Sequence, residues 1–225
     1  MLRERLACVG LSTGLLVNPV FSPARIGQLQ TQVERLAADL LDRLLDRSAD
    51  GVAVDLVADY ALPLSVGTLA EFTGLPVGDS PRWVGWIRRM FDVTDRDSGA
   101  QASRELGAYV DELIAARKRA PREGDFISLL LDSQVDGHRL TDREIHSFTM
   151  VQFGAGFETT ADAISVALHY LSEHPEALRM LAAEPALVPS AVEEFLRFAS
   201  PIQVFGRNAT RDLDVRAKRY RCCFP

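Results

Sequence analysis

Cysteine is scarce: Cys8, Cys222 and Cys223 are the only three in 225 residues. That is too few for a disulfide framework and fits a reducing cytoplasm. Cationic excess is absent too, since 31 acidic against 25 basic residues leave a net charge of −6. No electrostatic case for nucleic acid follows. No apolar run approaches the roughly 20 residues of a membrane helix, so no membrane association is expected. The four histidines, His138, His146, His169 and His174, show no metal-ligand spacing. Neither serine nor cysteine sits in a nucleophile elbow, and there is no repeat or low-complexity tract. Arg3, Arg5 and the stretch Leu6 to Val17 look faintly like a secretory leader. Glu4 in the basic region and Gly10, Ser12, Thr13 and Gly14 in the apolar run argue against one. With 47% hydrophobic and 25% charged residues, the composition is that of a globular chain that can bury a core.

What is present is helical periodicity. Ser22-Pro23 opens a helix with apolar residues at Ile26, Leu29, Val33, Leu36, Leu40 and Leu44. Asp55 opens a second, with Pro63 predicting a kink and Gly74 a stop. Asp79-Ser80-Pro81 opens a third carrying Trp83, Trp86, Ile87, Met90 and Phe91, a stripe that suits core or roof packing. Residues 92–99 read as loop, 101–119 as helix, 126–131 as a short helix and Asp136-Gly137 as a turn. Short helices follow at 175–183 and from Pro189 to Phe198. Ile202, Val204 and Phe205, then Leu213 and Val215, suit two short strands. The fold class is mainly α, with a little β near the C-terminus.

The organising stretch is Thr141 to Ser172, which has no proline in 32 residues. One helix of about 48 Å is allowed there. Thr141 and Glu144 form a capping box at its start. Its middle is weak: Gly154 and Gly156 each cost roughly 1 kcal/mol relative to alanine. Thr159 and Thr160 can bond back to the preceding turn and bend the helix. Val151, Ala155, Thr159 and Asp162 share one stripe. Such a weak point suits the close approach of something flat or bulky. A kinked core helix packed through small residues is the plainer alternative.

Ala155-Gly156-Phe157-Glu158-Thr159-Thr160 resembles the oxygen-activation motif of the cytochrome P-450 haem-thiolate monooxygenases. Thirty-four positions after Thr160 comes Glu194-x-x-Arg197, similar to that family's E-x-x-R signature. By itself it reads as a solvated ion pair. Arg207-Asn208-Ala209 resembles the strand whose arginine holds a haem propionate, a task suited to a forked, always-charged donor. Local echoes such as Phe72-Thr73-Gly74-Leu75-Pro76 extend the resemblance from about Val17 to Val215. It implies haem as cofactor, Thr159 and Glu158 as catalytic residues, and Ala155, Gly156 and Arg207 against the haem. Val151 and Ala155 would face substrate, and Glu194 and Arg197 would form a buried structural pair. Thr160 is expected to pack or bond back to its helix. The implied partners are a hydrophobic small molecule, dioxygen and a ferredoxin- or flavodoxin-type electron donor.

The resemblance is incomplete at both ends. The family's cysteine-ligand loop lies well beyond E-x-x-R, and Cys222 and Cys223 lack its glycines, so no axial metal ligand is assigned. Gly10 and Gly14 fall where the family has a His-x-x-x-Arg clamp. The expectation is one incomplete domain over 1–225, with 1–20 irregular and 216–225 an aberrant tail. A frameshift or premature stop would explain that tail. Such a chain is expected not to hold thiolate-ligated haem, and to be inactive alone. The alternative function is a non-catalytic helical remnant or interaction scaffold.

Overall fold

The structure, a computed structural model, describes residues 18–122, 124–135, 137–204, 212–215 and 218–220. All three cysteines and Arg207 lie outside these residues, as does nearly all of the stretch 1–20 expected to be irregular. Helices dominate. Helix α1 is Pro23–Ala49, with Pro23 in its first turn and Ser22 at the N-cap position, though the Ser22 side chain makes no cap bond. A π-helical turn, Val57–Ala61, leads into α2, Leu62–Thr73. The expected kink is this turn: Pro63 has no N–H for the carbonyl one turn back and crowds it, so the turn ahead widens. Asp55 caps the turn, accepting from the N–H groups of Val57 at 2.9 Å and Ala58 at 3.0 Å.

Helix α3 is Ser80–Phe91 and α4 is Arg96–Arg119. The start of α4 lies inside the stretch expected to be loop. Asp95 accounts for the difference, its carboxylate accepting from Ser98 N–H and satisfying a free donor of the first turn. Helix α5, Phe126–Asp132, is capped in the same way by Asp125. Strands β1 (Gln134–Val135) and β2 (His138–Arg139) pair in a small antiparallel hairpin, with Gly137 in its turn. Helices α6 (Asp142–Gly156) and α7 (Glu158–Glu173) together make the long central element. Then come α8 (Pro175–Ala183) and α9 (Val188–Phe198). Strands β3 (Leu213–Val215) and β4 (Lys218–Tyr220) pair antiparallel. Residues 202–204 form no strand, and β4 falls within the tail expected to be aberrant.

The core lies among α2, α3, α4, α5 and α6. Trp83 is fully buried, edge-on to Phe153 at 5.5 Å and to Phe157 at 5.8 Å between ring centroids. The stripe read as core or roof packing divides. Trp83 and Ile87 are buried, Trp86 and Met90 are half-buried, and Phe91 is exposed.

Tyr109 on α4 donates from its hydroxyl to Asp79 Oδ2 at 2.9 Å, under the guanidinium of Arg82. Burial first, and then this bond, push its pKa well above the ordinary tyrosine value. The sign follows from proton counts. Above the unfolded tyrosine pKa of about 10 the unfolded chain loses a proton that the folded chain keeps. Stability is therefore unaffected by this group at lower pH and falls as pH rises past about 10, by at most about 1.4 kcal/mol per pH unit. Denaturant titrations at successive alkaline pH values should show this decline in the native protein, and Tyr109→Phe should remove it.

Candidate active site

The central element breaks at one residue. Phe157 has φ −117° and ψ −43°, between the end of α6 and the start of α7. Its ring is buried against Trp83. Its carbonyl accepts from Ser65 Oγ at 2.6 Å and from Ala161 N–H at 2.9 Å. The break is thus held by a buried cross-helix bond from α2 as well as by the weak local sequence. The capping box at Thr141 forms as expected, and its backbone and hydroxyl hydrogen bonds hold Glu144 below the usual carboxylate range. As pH falls through that lowered pKa, the stabilisation this cap provides is lost.

Beside the break lies an open groove of about 550 Å³. One wall is the helical stripe Val151, Gly154, Ala155, Glu158, Thr159 and Asp162. Met90 and Phe91 at the end of α3, Ile202, and Met150 of α6 complete the lining. Val151 is 66% exposed, and Ala155 is exposed as well. The face is therefore bare rather than pressed against neighbouring side chains. Thr159 Oγ1 donates to the Ala155 carbonyl at 2.8 Å, while Thr160 Oγ1 reaches the Gly156 carbonyl only at 3.5 Å. The back-bonding expected at Thr160 is thus better made at Thr159.

The structure brings Val151, Ala155, Glu158 and Thr159 together and separates Gly156 from them. A Cβ on Gly156 would lie 2.9 Å from Leu69 Cδ1 and 3.1 Å from Gln152 Nε2. Gly156 faces α2 and serves close helix packing, so it is not a groove residue. Gly154 lines the groove instead, with the Phe91 ring 3.6 Å from where its Cβ would stand. The Glu194/Arg197 pair forms a fork, at 2.7 and 2.6 Å, but the side chains are 61% and 70% exposed. The expectation of a buried pair is not met, because no described residue covers that face of α9. Of the groove-lining residues, Met150 is not marked by the sequence reading and Ile202 only as part of an expected strand; Met150 is legible in principle, being one position from Val151 and one turn from Gly154.

Among the described residues no group of three or more histidine, cysteine, aspartate or glutamate side chains could hold a metal ion. No described helix is long and apolar enough to cross a membrane. The groove wall fits the distal side of a flat apolar macrocycle: small at Gly154 and Ala155, aliphatic at Val151, polar only at Glu158, Thr159 and Asp162. Among the described residues no cation lines the groove.

The cytochrome P450 family model matches residues 83–220. A cytochrome P450 of Priestia megaterium is 33% identical over 207 residues, covering 90% of this chain and 49% of that protein. A methyl-branched lipid omega-hydroxylase of Mycobacterium tuberculosis is 33% identical over 211 residues, covering 91% of this chain and 49% of the relative. Among solved structures, P450BioI in complex with a hexadec-9Z-enoic acid-ligated acyl carrier protein superposes with a TM-score of 0.83 at 30% identity. It covers 93% of this chain and 54% of that one. The chain therefore spans about half the length of the curated relatives it matches. The family-model match over residues 83–220, together with relatives 33% identical over 90% of the chain, places this chain, with its open groove at a helix break, in the cytochrome P450 family.

Proposed function

We propose that this chain is the distal half of a haem monooxygenase acting on a hydrophobic small molecule in a reducing cytoplasm. The observation that carries the reading is the bare groove wall Val151–Ala155–Thr159 at the break after Gly156. The net reaction inserts one atom of dioxygen into a C–H bond. The other atom leaves as water, with two electrons from a ferredoxin- or flavodoxin-type donor and two protons from solvent. Haem, when bound, supplies the iron centre at which dioxygen is reduced.

Val151 and Ala155 give the apolar wall that bears on haem and substrate and keeps bulk water out. Glu158 is half-buried on the groove edge, so its carboxylate can take a proton from solvent and release it inward. Thr159 Oγ1, donating to the Ala155 carbonyl, keeps its lone pairs for an incoming donor. To donate into the groove it must leave that carbonyl, a rearrangement costing about 1 kcal/mol. Arg207 remains the proposed partner of a haem propionate. No described residue supplies an axial thiolate.

The test is the visible spectrum of the purified chain titrated with haem, then reduced under carbon monoxide. A saturable Soret band, weakened by Ala155→Phe, supports haem seating in the groove. A thiolate-type shift of that band would extend the reading to the complete enzyme. No uptake, or uptake indifferent to Ala155→Phe, overturns the haem assignment and leaves the interaction scaffold. Thr159→Ala should leave haem affinity within about threefold, since it removes a side chain already bonded to its own helix.

A further inference from the structure

We infer that Ser65 is a positioning residue for Glu158: it fixes the peptide plane from which that carboxylate departs into the groove. Its importance rests on the proton-carrying role proposed for Glu158 above. Hydroxyls inside helices ordinarily bond back to the carbonyl one turn earlier. Thr68, Thr73, Thr149 and Thr159 do so, onto Leu64, Leu69, Ile145 and Ala155. The Ser65 hydroxyl instead crosses from α2 to the Phe157 carbonyl at 2.6 Å, 92 residues away. Among the described residues no other serine or threonine hydroxyl donates to a carbonyl more than four residues off in sequence.

The carbonyl of Phe157 shares one plane with the N–H and Cα of Glu158. Holding the oxygen therefore holds the start of Glu158. Ser65 is 1% exposed and the Phe157 ring is fully buried, so the bond is shielded from water. Leu69, one turn on from Ser65, lies 2.9 Å from where a Gly156 Cβ would stand. Two side chains on one face of α2 thus bear on the two residues before Glu158. Leu69 sets how close Gly156 comes, and Ser65 sets how Phe157 turns. The departure shows in the backbone, where Phe157 has φ −117° against about −63° in a regular helix. Ala161 N–H also reaches the Phe157 carbonyl, but that bond lies within α7 and moves with it. The Ser65 bond is anchored outside α7 and fixes its first residue relative to the core.

The test uses the full chain without haem, isotope-labelled at phenylalanine carbonyl carbons and glutamate nitrogens. Phe-Glu occurs once in the sequence, at 157–158, so nuclear magnetic resonance sees one carbon–nitrogen pair. Ser65→Ala should move that carbonyl upfield, as a carbonyl moves when it loses a donor. It should also change the residual dipolar couplings of the same peptide unit, which report its orientation. Ser65→Cys, a weaker donor of similar volume, should move both in the same direction by less. Thr73→Val removes a buried hydroxyl bond that stays within α2, so it should cost stability and leave the pair unmoved. A pair unmoved by both Ser65 substitutions, a shift reproduced by Thr73→Val, or a shift without a change in dipolar couplings overturns the inference. Because no haem is present, the two readings fail separately. A moved pair in a chain that takes up no haem would sink the monooxygenase reading and keep the hold on Glu158, whereas haem uptake with an unmoved pair would sink the role of Ser65 alone.

Discussion

Replacing Asp125 by alanine will destabilise the protein by about 3–5 kcal/mol, because it strands a buried positive charge. Asp125 is 3% exposed and sits where three helix ends meet. Its Oδ2 is paired with Arg117 Nε from the last turn of α4. Its Oδ1 accepts from Ser128 N–H at 2.7 Å and caps α5. The same arginine donates through Nη2 to the Gly74 carbonyl at 3.2 Å, and Arg122 Nη1 reaches that carbonyl at 3.1 Å. Gly74 ends α2 with φ +72°, and a Cβ there would lie 2.5 Å from Asp125 Cβ. The carboxylate thus ties the ends of α2, α4 and α5 at one point. Asp125→Ala loses the cap, about 1 kcal/mol, and leaves Arg117 mostly buried without its counter-ion. Asp125→Asn keeps an acceptor for Ser128, so its cost relative to the native protein reads the charge, and the further loss in Asp125→Ala reads the cap. Urea unfolding with an unchanged m-value measures both. The loss should persist at 1 M salt, because a pair this shielded is little screened. A penalty below about 1 kcal/mol, or one that vanishes in salt, would show the pair to be a surface ornament.

Much of this fold is legible in the sequence, because its helices carry their own start and stop signals. Thr141 and Glu144 form the capping box they spell, Pro63 interrupts where a missing N–H must, and Gly74 takes the left-handed conformation that ends α2. The start of α4 is less legible: Asp92 and Asp95 both accept a backbone N–H, from Thr94 and Ser98, and the residue types alone do not say which of the two opens the helix. The groove stripe Val151–Ala155–Thr159 follows from the 3.6-residue period alone. Which side of that helix Gly156 faces does not, because the break at Phe157 depends on Ser65, 92 residues away. The exposure of Glu194 and Arg197 was likewise hidden, since an i, i+3 pair reads the same whether or not another element lies over it.

The other large effect is expected at Trp83, where truncation to alanine should cost about 3–5 kcal/mol. The indole is fully buried and meets Phe153 and Phe157 edge-on, so it is the contact through which α3 grips the central element on either side of Gly156. Removing it leaves a cavity that two aromatic rings on a helix pair and one on α4 are too constrained to fill. Trp83→Phe separates the volume effect from the polar one. Trp83 Nε1 is buried with no hydrogen-bond partner among the described residues. An unpaired buried donor carries a penalty of about 1–3 kcal/mol that phenylalanine would relieve. The smaller ring therefore loses packing but sheds that penalty, and the net cost should fall below about 1.5 kcal/mol. Chemical denaturation of both variants gives the comparison. The two outcomes also bear on the groove, because Phe157 both packs on Trp83 and sets the break beside Ala155 and Glu158. If Trp83→Ala lowers haem affinity while Trp83→Phe does not, the shape of the groove is set by the packing behind it. Equal haem affinity in both variants would mean that Ser65 and the local sequence hold the break without help from the core.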